Sequence, residues 1–202
     1  EEFTTAHRAG LGITIHAGEN DDAEGIWSAI LDLNARRLGH ALHLADSPTL
    51  LETVAQRRVA VEMCPFANYQ IIGFPIDDDV ESALARDRYP LKNYLDHNIA
   101  VTVNTDNIGI SAASLSDNLL FAARLCPGLT RLDVLRLIRH AADAAFGPAS
   151  LRQTLIERIQ RALPAPPNKT WQQASRLLSP GPIRPGWPSS PTTGKRDAHH
   201  PD

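Results

Sequence analysis

Four short β-rich segments, each closing on a polar or sulfur-bearing side chain, constrain this chain more than any other feature. The first runs from Leu11 to His16, the second is Arg37-Leu38-Gly39-His40, and the third spans Val59 to Met63 before Cys64-Pro65. The fourth covers Ile99 to Val103 and ends at Asn104-Thr105-Asp106-Asn107. Helical patterns separate them. One extends from about Asp22 to Asn34, with Ile26, Trp27, Ile30, Leu31 and Leu33 as its apolar positions. A second opens at Ser47-Pro48, an N-cap followed by proline at the first helical position, and runs to about Arg57. A longer connection leads to Tyr89, then Pro90 to His97 reads as a helix with proline again in first position. Strands alternating with helices in this way imply parallel pairing through right-handed crossovers.

Further helices are expected from Leu115 to Leu125, from Thr130 to about Phe146, and from Ala149 to Leu163. Thr130 and Asp133 have the spacing of a capping box. Two α/β architectures fit, an open doubly wound sheet or part of a (β/α)8 barrel, and periodicity does not separate them. No glycine-rich phosphate loop follows a strand, which weighs against a nucleotide-binding open sheet. His16, His40, Cys64 and Asp106 fall at the C-terminal ends of successive strands, where barrel active sites sit, and this favours the barrel.

Composition removes several function classes. A net charge of -3 without a basic cluster gives no footprint for nucleic acid. No apolar run approaches the roughly 20 residues that span a bilayer, and Glu1-Glu2-Phe3 does not open a signal peptide. Cys64 and Cys126 lack metal-ligand spacing and read as free buried thiols in a cytoplasmic protein. The only methionine is Met63, and the chain opens inside a helix, Phe3 to Ala9, closed by Gly10; a partial record is the expectation. Nine of the fifteen prolines fall between Pro164 and Asp202, so residues 164-202 are expected to be a disordered tail behind a domain of residues 1-163. Trp171 and Trp187 would be the tail's anchors if it docks.

His16 and Glu19 flank Gly18, which permits a sharp turn aiming both side chains into one cavity. His40 repeats the arrangement after Gly39, and Asp106 ends an apolar strand where an acid is costly to bury without a partner. Two imidazoles and two carboxylates at one barrel mouth suit a zinc hydrolase, although a lone strand-end histidine is more often structural. His7, His43 and His97 read as surface residues, and His140 as a packing residue. His199-His200 reads as incidental, and Asp77-Asp78-Asp79 as a solvated loop that could border a lid.

Taken in order, His16-Ala17-Gly18-Glu19, Arg37-Leu38-Gly39-His40, Glu62-Met63-Cys64-Pro65 with Asn68, and Val103-Asn104-Thr105-Asp106 resemble the adenosine deaminase family. Tyr89-Pro90-Leu91-Lys92 and Ser114-Leu115-Ser116-Asp117 extend the resemblance, which covers about Phe3 to Leu163. It implies the C-terminal half of a TIM barrel, strands five to eight, with extra C-terminal helices. It further implies zinc-dependent deamination of adenosine or a related 6-aminopurine, a small purine nucleoside or base being the partner. His16 and Asp106 would be zinc ligands. Glu19 would pass a proton to the ring nitrogen beside the attacked carbon, and His40 would orient the zinc-bound water and assist its deprotonation. Gly18 and Asn107 would touch the substrate.

Two departures from the family pattern stand out. Asn107 replaces a second acid, and an amide donates a hydrogen bond in every protonation state, which bears on substrate preference. The family's His-x-His pair on the first strand, two further zinc ligands, occurs nowhere in the 202 residues. The isolated chain is therefore expected to be inactive. The alternative reading is a catalytically inactive half-barrel remnant or interaction module, self-associating through its exposed edges.

Overall fold

The computed structural model describes residues 2–75 and 88–162. The predicted tail with Trp171, Trp187 and His199-His200, and the acidic run Asp77 to Asp79, lie outside the described residues. Four strands, β1 (Thr14–Ala17), β2 (Arg37–His40), β3 (Ala60–Met63) and β4 (Val101–Val103), form one parallel sheet in the order β1-β2-β3-β4. Each neighbour is also the next strand in sequence, which is the expected signature of repeated crossovers in one direction. β1 and β4 are the edges of this sheet among the described residues.

The helices form where local chemistry starts and stops them. α1 (Glu2–Arg8) precedes β1 and ends before Gly10, whose φ of 75° an L-residue rarely adopts. α2 (Ala23–Leu31) is capped by Asp22, whose side chain accepts from Glu24 N–H. α3 (Pro48–Arg57) has the predicted bounds, with Ser47 accepting from Leu50 N–H. α4 (Pro65–Ile72) follows β3, α5 (Leu91–Asp96) precedes β4, and the one-turn α6 (Ile108–Ser111) follows it. α7 (Leu115–Leu125) and α8 (Arg131–Ala144) both open on complete capping boxes, Ser114 with Asp117 and Thr130 with Asp133. α9 (Ala149–Ala162) ends the described chain.

Three expectations need correction. β1 begins at Thr14 rather than Leu11, since Leu11 and Gly12 lie on the exposed approach to the sheet. The segment expected to be a connection contains α4, and Pro90 caps α5 instead of opening it. α2 also stops short of Asn34, which adopts a left-handed φ of 58°.

Register gives the sheet two unlike faces. Leu38, Val61 and Val101 align across three strands and are fully buried. α5, α7 and α8 pack on β4, and α2 packs on β1. Each such aliphatic burial contributes roughly 1.5–3 kcal/mol. The alternate positions carry Thr14, Arg37 and Glu62. Thr14 Oγ1 donates to Glu62 Oε2 at 2.6 Å, while Arg37 Nε lies 2.8 Å from Glu62 Oε1. The Arg37 guanidinium also stacks 3.6 Å over the Phe146 ring and donates to Ala144 O. Polar residues sit on one face and apolar ones on the other, so only the apolar face is built to receive helices.

Candidate active site

The strand ends converge at one edge of the sheet. His16 is the penultimate residue of β1 and His40 the last of β2; Cys64 directly follows β3, and Asp106 follows β4. Ordinary strand alternation does not bring them together. The chain leaves the extended region at His40 (φ 64°), Ala41 (φ 47°) and Asp106 (φ 54°). Such values are costly for non-glycine residues and cluster where the surrounding structure enforces them. Part of that enforcement is visible: buried Tyr94 of α5 donates its hydroxyl to the carbonyls of Ala41 at 2.7 Å and Leu42 at 3.1 Å.

The resulting cluster is compact. The His16 and His40 rings meet edge to face with centroids 4.9 Å apart. His40 Nδ1 lies 3.3 Å from Glu19 Oε1. Two sets of ligand atoms, His16–Glu19–His40 and His40–Cys64–Asp106, each lie within 4.8 Å of one another and share His40. His40 is almost wholly buried, at 2 % exposure, whereas His16 and Asp106 are exposed. Burial pushes the His40 imidazole below its ordinary value, against the upward pull of the Glu19 carboxylate. Burial likewise pushes the Cys64 thiol up to about 12, helped by the acids Asp106, Glu62 and Glu19, so it is a protonated, inert group.

Glycines make the close approach possible. A Cβ on Gly39 would lie 2.9 Å from His16 Cδ2, so the absence of a side chain there gives the imidazole its place. Gly18 holds φ 68° and a Cβ there would strike Ile26. Its N–H and that of Glu19 both donate to Asp21 Oδ1, at 2.7 and 3.2 Å, fixing the turn that carries Glu19. Asn107 caps α6, its Oδ1 accepting from Ile110 N–H at 3.1 Å, which leaves its amide N–H groups for other partners. Beside Glu19 opens a cleft of about 800 Å³, with Leu42, Phe74, Tyr89 and Lys92 in its walls. That volume falls within the range of small-molecule sites.

The structure therefore brings His16, Gly18, Glu19, His40 and Asp106 to one end of the sheet, with Asn107 next to Asp106. His140 lies apart, its Nδ1 3.1 Å from Val101 N, as a packing residue. Sequence reasoning gave no role to Asn68, Tyr89 or Asp21. Asn68 is fully buried and its carboxamide touches His40, Glu19, Cys64 and Tyr89. Asp21 carries no local sequence signal: its carboxylate accepts from N–H groups two and three residues earlier, the reverse of an Asx turn, in which the acceptor precedes the donor. Asn68 and Tyr89 belong to the motifs that carry the family resemblance, but the roles of their side chains depend on α4 and on contacts distant in sequence.

The residues fit a metal through their donor chemistry. Imidazole and carboxylate groups within reach of one another suit a borderline cation such as zinc. Comparison with known proteins gives the site a context. The family model described as adenosine deaminase matches residues 1–162. The adenosine deaminase of Clostridium acetobutylicum is 32% identical over 160 residues, 79% of this chain and 45% of that protein. That of Serratia proteamaculans is 30% identical over 158 residues, 78% and 45% respectively. The chain thus spans about half the length of the curated relatives it matches. Among solved structures, an amidohydrolase from Burkholderia ambifaria with bound Zn superposes with a TM-score of 0.68 at 18% identity, covering 87% of this chain and 44% of that one. An Arabidopsis ADAL complexed with IMP superposes with a TM-score of 0.62 at 25% identity, over 79% and 43%.

Proposed function

This chain belongs to the adenosine deaminase family, and we propose that it supplies the acid–base side of a site for hydrolytic deamination of adenosine or a related 6-aminopurine. In this reading β1 to β4 are strands five to eight of a (β/α)8 barrel in a cytoplasmic enzyme, residues 1-163 forming the barrel portion and 164-202 a tail. The observation that carries it is the convergence of Glu19, His40, His16 and Asp106 at the C-terminal ends of neighbouring parallel strands. IMP in the Arabidopsis ADAL complex supports a purine as the ligand.

His16 and Asp106 would hold zinc. The chemistry supplied by the ion when bound is the acidification of water toward neutrality. His40, rigid and buried, orients the attacking water, and Asp106 offers that water a hydrogen-bond acceptor. Glu19 holds a proton and delivers it to the ring nitrogen beside the attacked carbon, so the ring accepts the incoming oxygen. Of the water's two protons, one leaves with the amine as ammonia and the other restores Glu19 as the carbonyl forms. Gly18 and Asn107 form the substrate contact. Asn107 Oδ1 is engaged by Ile110 N–H, so its Nδ2 donates to the imidazole nitrogen of the purine. The 202 residues alone are inactive in this reading, because the His-x-His pair that completes the family's ligand set is not in the sequence. Self-association through the open edges of β1 and β4 belongs to the same proposal.

The test is deamination of adenosine, adenine and N6-methyladenosine by the zinc-loaded polypeptide that carries this segment. Glu19→Gln should lower kcat by at least about 10²-fold with little change in KM, the usual scale for a lost general acid. Asn107→Asp keeps a good helix cap and should reorder the three substrates. No turnover by the wild-type polypeptide, or full turnover by Glu19→Gln, would overturn the assignment.

A further inference from the structure

Asn68 stands out because every polar atom of a fully buried side chain is used, and its neighbours leave only one orientation for the amide. Cys64 N–H, 3.3 Å from Oδ1, can only donate. Glu19 Oε1, 3.4 Å from Nδ2, is an acceptor. Together they place oxygen toward Cys64 and nitrogen toward Glu19. Tyr89 O–H adds a second donor to Oδ1 at 3.0 Å. The phenol of Tyr89 is wholly buried, and burial raises it well above its ordinary value, so it keeps its proton to donate.

With the amide pinned in this way, Nδ2 faces His40 Nδ1 at 2.9 Å. Two N–H groups cannot face each other at that distance, so His40 Nδ1 must carry a lone pair. We propose that Asn68 is a positioning residue that locks the neutral His40 ring as its Nε2–H tautomer and, with its second N–H, holds Glu19 Oε1. Two consequences follow for the deamination site, and these rest on the function proposed above. His40 offers the attacking water a donor and cannot take the water's proton at Nε2, which replaces the expected help in deprotonation by orientation alone. Glu19, with Oε1 occupied, carries its proton on Oε2.

Nothing in the tautomer itself depends on turnover, so it can be read in the full chain. Long-range 1H–15N correlation of the histidine rings, recorded with chelator at mildly alkaline pH and assigned with His40→Gln, distinguishes the two nitrogens. The wild-type chain is expected to show His40 Nδ1 unprotonated and Nε2 protonated. Asn68→Ala removes the donor that faces Nδ1 among the described residues and leaves Glu19 Oε1 3.3 Å away, so the proton should move to Nδ1. Asn68→Asp, which supplies a second acceptor, should show the same shift. A wild-type ring protonated at Nδ1 would overturn the proposal even if neither variant folds, as would an unshifted ring in a folded variant. A deamination assay that fails beside a wild-type Nε2–H ring defeats the proposed function and leaves the assignment of Asn68 standing.

Discussion

Gly39→Ala tests whether glycine is required in β2 because His16 lies over it. No left-handed φ is needed at Gly39, so alanine is acceptable to the backbone, and only the new methyl matters. That methyl would lie 2.9 Å from His16 Cδ2, against an ordinary contact beginning at 3.4 Å, so the ring must retreat by 3.4 − 2.9 = 0.5 Å. Overpacking of this kind costs about 1–3 kcal/mol. His16 is exposed and can swing outward, which places the cost near the lower end. Against it stands the gain of about 0.4–1 kcal/mol from stiffening the unfolded chain. Gly39→Ala should therefore destabilise the wild type modestly. In a His16→Ala background the clash disappears and the same substitution should be neutral or stabilising. The contact with the His16 Cα at 3.3 Å is common to both backgrounds and cancels. The cycle should give a coupling of about 1–2 kcal/mol, well above the ~0.5 kcal/mol expected of independent sites. Urea unfolding followed by circular dichroism measures it, and equal effects of Gly39→Ala in the two backgrounds would refute the reasoning.

Two other outcomes concern stability. Thr130→Ala removes the hydroxyl that accepts from Asp133 N–H and donates to its buried carboxylate at 2.7 Å, so unfolding free energy should fall by about 1–2 kcal/mol; a change within experimental error would show that the box adds nothing to α8. Burial lowers both His40 and His140 below the ordinary 6.5. The unfolded chain then binds more protons in that window, so stability is full above 6.5 and falls as pH drops through the native values. His140→Gln should flatten this acid slope in urea midpoints taken across that range, and an unchanged slope would remove His140 from it.

Much of the architecture was legible because local chemistry marks it. Ser47-Pro48 placed the start of α3, and Thr130 with Asp133 placed that of α8. The strand ends identified His16, His40 and Asp106 by position alone. α4 escaped because Pro65 to Tyr69 are buried consecutively, leaving no one-sided stripe for periodicity to detect. α6 is a single turn with exposed Ile108 and Ile110, too short for a pattern. The left-handed backbone at His40 and Asp106 leaves only a faint mark in one dimension, because His and Asp are enriched there but mostly adopt other conformations. Asn68 combines these difficulties: it sits on the unmarked helix and acts on a side chain 28 positions earlier.

The Tyr94 hydroxyl that clasps Ala41 and Leu42 belongs to a helix some 53 residues downstream. Its consequence is one of timing. On a ribosome, β1 and β2 emerge long before α5 exists, and until that phenol arrives the turn after His40 lacks one of the contacts that hold it. A nascent chain arrested before α5 would hold this turn by its backbone bonds, those to β1 and Gly18 among them, without the phenol clasp.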